Sequence, residues 1–170
     1  MATALLISTE DVKKFTVLNG NLDNDEFIQY IKITQDITIQ NYLGTNLYIK
    51  FQDLITSGDI SEVGNEAYLS LLTDYIKPML IHWTMVYYLP FAAFTVGNKG
   101  VFKHTSESAQ NAEKTEVMFL IEKERDIAEH YTKRFIDYIC KNSTTYPEYK
   151  NNTDNNVYPD KNTNFGGWVL

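Results

Sequence analysis

Leu69-Ser70-Leu71-Leu72-Thr73-Asp74-Tyr75-Ile76-Lys77-Pro78-Met79-Leu80-Ile81-His82-Trp83-Thr84-Met85-Val86-Tyr87 is the stretch on which the fold turns. Leu69, Leu72, Ile76, Met79 with Leu80, Trp83, and Val86 with Tyr87 recur at intervals of three and four, the repeat of one α-helical face. Pro78 sits inside this run. A proline removes one helical hydrogen bond and bends the axis. Two separate helices meeting at Pro78 would lose register, whereas the stripe keeps it. The spacing therefore predicts one kinked helix over about 65–89, stopped near Pro90. Its apolar residues occupy several faces, which marks the central helix of a bundle.

The flanking segments are amphipathic helices. Ser8-Thr9-Glu10-Asp11 has the form of a capping box, with Ser8 as N-cap and a short helix to about Phe15. Phe27, Tyr30, Ile31, Ile33, Ile37 and Tyr42-Leu43 predict a helix over about 24–43 ending at Gly44. It is rich in β-branched residues, so packing must hold it. Thr45 is expected to cap a third helix, about 46–57, with the stripe Leu47, Phe51, Leu54 and Ile55, ended by Gly58. Val117, Leu120 with Ile121, Ala128, Tyr131, Phe135 and Tyr138 with Ile139 predict a last, long helix over about 108–141. Glu124 and Arg125 interrupt that stripe, and Thr144-Thr145-Tyr146-Pro147 ends helical structure.

Between the two largest helices lies Val96-Gly97-Asn98-Lys99-Gly100-Val101-Phe102, two glycines around Asn-Lys between β-formers, the pattern of a hairpin or extended excursion. The expectation is an all-α bundle of about five helices: a long kinked central helix, a long C-terminal helix, a hairpin or loop between them, and an extended C-terminal tail. The helical domain is placed at 1–149 and the tail at 150–170. From Lys150 to Asn164 only Val157 and Tyr158 are apolar, too little to offset the cost of ordering the backbone. The chain then ends Phe165-Gly166-Gly167-Trp168-Val169-Leu170, an apolar hexapeptide on a polar arm. It is expected to dock, with Trp168 as anchor, on this chain or on another.

Composition narrows the function classes. The chain has 170 residues, a net charge of −7 and 14 % aromatic residues. A free-standing nucleic-acid binder shows a basic face, and the only adjacent basic pairs are Lys13-Lys14 and Lys133-Arg134. The aromatic excess fits a protein that associates. The single cysteine, Cys140, provides neither a disulfide nor a cysteine metal site, and is expected to be at least half-buried near the end of its helix. No stretch reads as a membrane span or a signal peptide. The three histidines stand in different segments; His82 is expected in the core or an interface, and Ile127 occupies the place where a Glu-x-x-His metal motif ending at His130 would need an acid. The cluster Glu122 to Arg125 is expected on a solvated face. No catalytic, metal or cofactor residue is assigned, and no enzymatic activity is expected.

The order of parts resembles a known family. It comprises the capped Leu6-Ile7-Ser8-Thr9-Glu10-Asp11-Val12-Lys13, the helix ending Tyr42-Leu43-Gly44, the Tyr75-Ile76-Lys77-Pro78 helix, the Gly100-Val101 excursion, the long charged helix closing Tyr138-Ile139-Cys140, Tyr146-Pro147-Glu148-Tyr149, and the terminal Phe165-Gly166-Gly167-Trp168. This is similar to the head–tail connector proteins of tailed bacteriophages, notably crAss-like phages and others infecting Bacteroidetes. The resemblance implies a structural virion protein at the capsid–tail junction, assembled in the host cytoplasm. It would form a homo-oligomeric ring, usually of twelve copies, beneath the portal, meeting further neck or tail proteins and passing DNA through its channel without sequence-specific binding. It further implies ring or portal contacts for the excursion Val96–Phe102 and reach to neighbouring proteins for the tail. The alternative is a monomeric helical scaffold that recruits one partner through that tail.

Overall fold

In the computed structural model, residues 4–16, 18, 24–92, 94–97, 100–103, 113–152 and 157–165 are described. The fold is an all-α bundle with one two-stranded antiparallel hairpin. Helix α1 spans Thr9–Phe15, and its capping box is formed in both directions, Asp11 N–H to Ser8 Oγ (3.1 Å) and Ser8 N–H to Asp11 Oδ2 (3.0 Å). Helix α2 runs Asn24–Thr34, passes through a π turn at Gln35–Ile39 and finishes as α over Gln40–Leu43. Helix α3 is Thr45–Ser57. Helix α4 begins at Glu66–Leu71, widens into a π turn at Leu72–Ile76 and continues over Lys77–Tyr88. Strands β1 (Phe94–Gly97) and β2 (Gly100–Lys103) follow, then α5 (Lys114–Lys141) and a short α6 (Pro147–Lys150).

The two π turns have separate physical reasons. Pro78 has no N–H for the carbonyl four residues back, and its ring crowds that carbonyl. In the wider turn before it, Lys77 N–H bonds instead to Leu72 O, five residues back. The helix thus continues through Pro78 without a break, and Ile76, Met79 and Leu80 are all fully buried. In α2 the π turn rotates Gln35 into the interior. Its amide donates to Ala4 O (2.8 Å) and Tyr48 Oη (3.0 Å), and its oxygen accepts from Leu6 N–H (2.8 Å). A fully buried amide is tolerated here because it holds the extended N-terminal segment by its backbone.

Helix α4 is the core helix, as its apolar breadth predicts. Helices α2 and α5 both pack along it. Tyr75 stacks on Tyr138 and His82 on Tyr131 along the α4–α5 seam, while Phe27 and Tyr30 of α2 meet Tyr88 edge-on. Tyr146 and Tyr149, which flank the α6 start, are buried. Tyr146 Oη donates to Ala67 O (3.1 Å) and Tyr68 Oη donates to Glu148 (2.7 Å), so this segment pins the end of α5 to the start of α4. Chain direction does change at Tyr146-Pro147, but Pro147 then opens α6 at a position where its missing N–H costs nothing.

Three expectations are corrected. Thr45 does not cap α3: it is the first helical residue, Gly44 stands at the N-cap, and the Thr45 hydroxyl instead accepts from Val157 N–H at 3.2 Å. Cys140 is exposed, because it lies one position past the buried Ile139 and turns away from the core. The polar stretch after Tyr149 is not an unpaired tether. Asn152 is 2 % exposed, Pro159 is buried, and Phe165 packs against the hydrophobic core. What orders it is hydrogen bonding to free helix ends, a gain that counting apolar residues misses. Asn152 Oδ1 accepts from Asn46 N–H (2.8 Å), Val157 O from Thr45 N–H (3.1 Å), and Asn41 O accepts from Asp160 N–H (2.9 Å).

Gly44 makes this seat possible. Its φ of +74° with ψ of 160° is open only to glycine, and a Cβ there would lie 2.6 Å from Pro159 Cγ. Gly44→Ala is expected to cost about 2–3 kcal/mol, a fall in Tm of roughly 4–12 °C for a chain of this size. Adding Pro159→Ala should recover part of the loss, since it removes the clash and leaves the strained backbone. Calorimetry of both variants checks this; an unchanged Tm for Gly44→Ala contradicts the described corner.

Candidate functional site

The residues singled out from sequence fall in three places. Val96, Gly97, Gly100, Val101 and Phe102 lie on the hairpin, with Val96 opposite Val101 and Gly97 opposite Gly100; Asn98 and Lys99 at its tip lie outside the described residues. Of the terminal hexapeptide, Phe165 is half-buried against the core, and Gly166, Gly167, Trp168, Val169 and Leu170 lie outside the described residues. The structure therefore places the start of the hexapeptide on its own domain. His82 and Glu124, assigned to no role, meet across the α4–α5 seam, His82 Nδ1 lying 2.8 Å from Glu124 Oε2. Glu124 thereby keeps the inward phase of the long helix that it seemed to interrupt. Glu122, Lys123 and Arg125 are exposed, as a solvated face requires.

His82 also lines a cleft of about 540 Å³ between α1, α4 and α5, with Asp11, Lys14, Lys77 and Tyr131. Lys77 lies 3.7 Å from Asp11. Burial raises the Asp11 carboxyl, but the Ser8 hydrogen bonds and the Lys77 charge outweigh it and hold the group below its ordinary value. Two polar pairs of the cleft join helices: Asp11 and Lys77 tie α1 to α4, and His82 and Glu124 tie α4 to α5. Among the described residues no three His, Cys, Asp or Glu side chains gather to hold a metal. No helix among them is long and apolar enough to cross a membrane.

The surface that the sequence did not single out is the first half of α5. Its buried residues are Ala128, Thr132, Phe135, Ile136 and Ile139, all in the second half. From Lys114 to Ile127 the helix runs about 20 Å with no buried residue. This half nevertheless carries Val117-Met118-Phe119-Leu120-Ile121, five apolar residues in a row, with Met118, Phe119 (57 % exposed), Leu120 and Ile127 on the surface. Five successive residues cover every side of a helix, so one packing face cannot account for them. The signal was present in the sequence as an apolar run wider than a stripe.

A second seam closes the chain ends. Asn152 and the segment 157–160 lie at the α2–α3 corner, with the Asp160 carboxylate near Tyr42. Burial, then Asp160, push the Tyr42 phenol up to about 12. Residues 39–159 match a family model whose description is "Family of unknown function (DUF6712)". The chain belongs to this family. No curated protein and no solved structure matches it. The DUF6712 match opens in the last residue of the α2 π turn and closes on Pro159, the residue seated on Gly44. Its two ends therefore meet in space, with the arm inside the matched unit and α1 outside it.

Asp11→Ala removes the carboxylate half of the capping box, the acceptor for Ser8 N–H, together with the Lys77 pair, and is expected to cost about 1 kcal/mol at neutral pH. The Asp11 carboxyl is lowered on folding, so its contribution is full above the ordinary value of 3.8 and fades as pH falls through the lowered one. Urea melts of wild type and variant should differ at neutral pH and converge near about pH 2. A pH-independent difference contradicts this role.

Proposed function

We propose that this DUF6712 member is a structural virion protein, the subunit of a head–tail connector ring that joins the portal of a tailed-phage capsid to the tail and extends the DNA channel. The observation that carries an assembling role is the uncovered apolar half of α5, next in sequence to the β1–β2 hairpin. Contiguous exposed apolar surface on a soluble domain marks a place where another protein packs. The particular assembly comes from the resemblance in the order of parts. The partners proposed are further copies of this chain, twelve by that resemblance, then the portal, neck and tail proteins. The site is the capsid–tail junction, with assembly in the host cytoplasm and no turnover of a substrate.

The acidic charge supports a channel role, because DNA slides past like charge without sticking. The monomeric scaffold with a long recruiting arm has less support. The arm caps α3 and seats Phe165 on its own core, so this much of it is engaged within the chain.

Native mass spectrometry of the chain, alone and with the portal ring encoded by the same genome, tests the proposal. The expected result is a stoichiometric complex carrying a fixed number of copies on the portal. A strict monomer that leaves the portal ring bare contradicts it.

A further inference from the structure

Helix α2 carries an exposed apolar stripe of its own. Tyr30, Ile33 and Ile37 (59 % exposed) follow at intervals of three and four, and the half-exposed Phe91 lies 6.0 Å from the Tyr30 ring. The two apolar stripes stand on different flanks. On α4, Tyr75, His82 and Trp83 face α5, while Tyr87 and Tyr88 face α2. At 100° per residue the two sets are centred roughly 150° apart around the α4 axis.

We infer that the Phe119/Leu120/Ile127 stripe of α5 docks on the Tyr30/Ile33/Ile37/Phe91 stripe of α2 in a second copy of this chain, head to tail. This rests on the ring proposal above and names the two surfaces that would make the ring. Each stripe offers on the order of 300 Å² of apolar surface. One partner's share of a standard interface is about 800 Å², a little over half of it apolar. Each stripe thus supplies most of the apolar part of one such share. Two of the charges bordering the stripes are already paired within their own helices, Lys123 with Asp126 at 3.3 Å and Lys32 with Asp36, so contact does not strand these two lysines. A self-complementary contact would pair one stripe with itself and stop at a dimer. Two unlike stripes leave a free surface at each end, so that further copies can add.

The test breaks one surface at a time. Leu120→Glu removes the α5 stripe and Ile33→Glu the α2 stripe; both positions are exposed, and helicity by circular dichroism should be unchanged. Phe119→Lys and Ile37→Lys form a second pair of opposite charge. Masses are read by sedimentation under reducing conditions over a range of concentration. Wild type is expected to grow beyond a dimer as concentration rises. Each variant alone is expected to stay monomeric. A mixture of the α5 variant with the α2 variant retains one intact pair of stripes, and is expected to give a one-to-one dimer and nothing larger. A wild-type monomer throughout, self-association of either variant alone, or a mixture that fails to pair overturns the inference. If wild type and both variants all load onto the portal, the surfaces are wrong and the ring stands. If the mixture dimerises while wild type ignores the portal, the surfaces stand and the connector assignment falls.

Discussion

The corner at Gly44 holds the molecule together. Helix α2 ends there with carbonyls to satisfy and α3 begins there with N–H groups to satisfy, and Gly44 carries no side chain able to serve either. The chain's own C-terminal arm supplies both partners, from residues more than a hundred positions away. Asn152 is in effect the N-cap of α3. Because the arm reaches that corner only after α4, α5 and α6 are in place, the contact joins the first half of the fold to the last. It requires glycine at 44, since any Cβ would occupy the space that Pro159 fills.

The remaining architecture follows from one broad apolar helix. Helix α4 presents aromatic residues to both sides, so α2 and α5 lie along different flanks of it. The cost is exposure. The outer stripe of α2 and the outer side of the first half of α5 stay uncovered, while Val117, Ile121 and Glu124 on its inner side are half-buried. The same packing that completes the monomer therefore leaves the surfaces through which it would associate.

The helices, the Ser8 cap and the continuation of α4 through Pro78 were legible from residue types and spacing. So was the hairpin, one of the two forms that the glycines around Asn-Lys suggested, and Gly97 stands opposite Gly100 in it. The arm was not. Asn152 and Pro159 carry no local signal, because their partners are backbone groups far away in sequence, and composition alone marks such a stretch as unable to order itself. Thr45 misled for a related reason: a threonine after glycine at a helix start has the form of an N-cap, yet here the cap comes from Asn152 and the Thr45 hydroxyl serves Val157. Glu124 looked like a break in a stripe because its partner His82 lies on another helix. The exposed half of α5 was hidden by its own regularity: a phase-true stripe does not tell whether a neighbour is present to cover it.

The most direct measurement is amide hydrogen exchange at Thr45 and Asn46 in the intact chain. These N–H groups belong to the first turn of α3, where an uncapped helix exchanges fast. If the arm closes the fold, both amides are protected to the same degree as those in the middle of α3. Exchange at the rate of a frayed helix end would contradict the account and return the polar stretch to the role of a free tether.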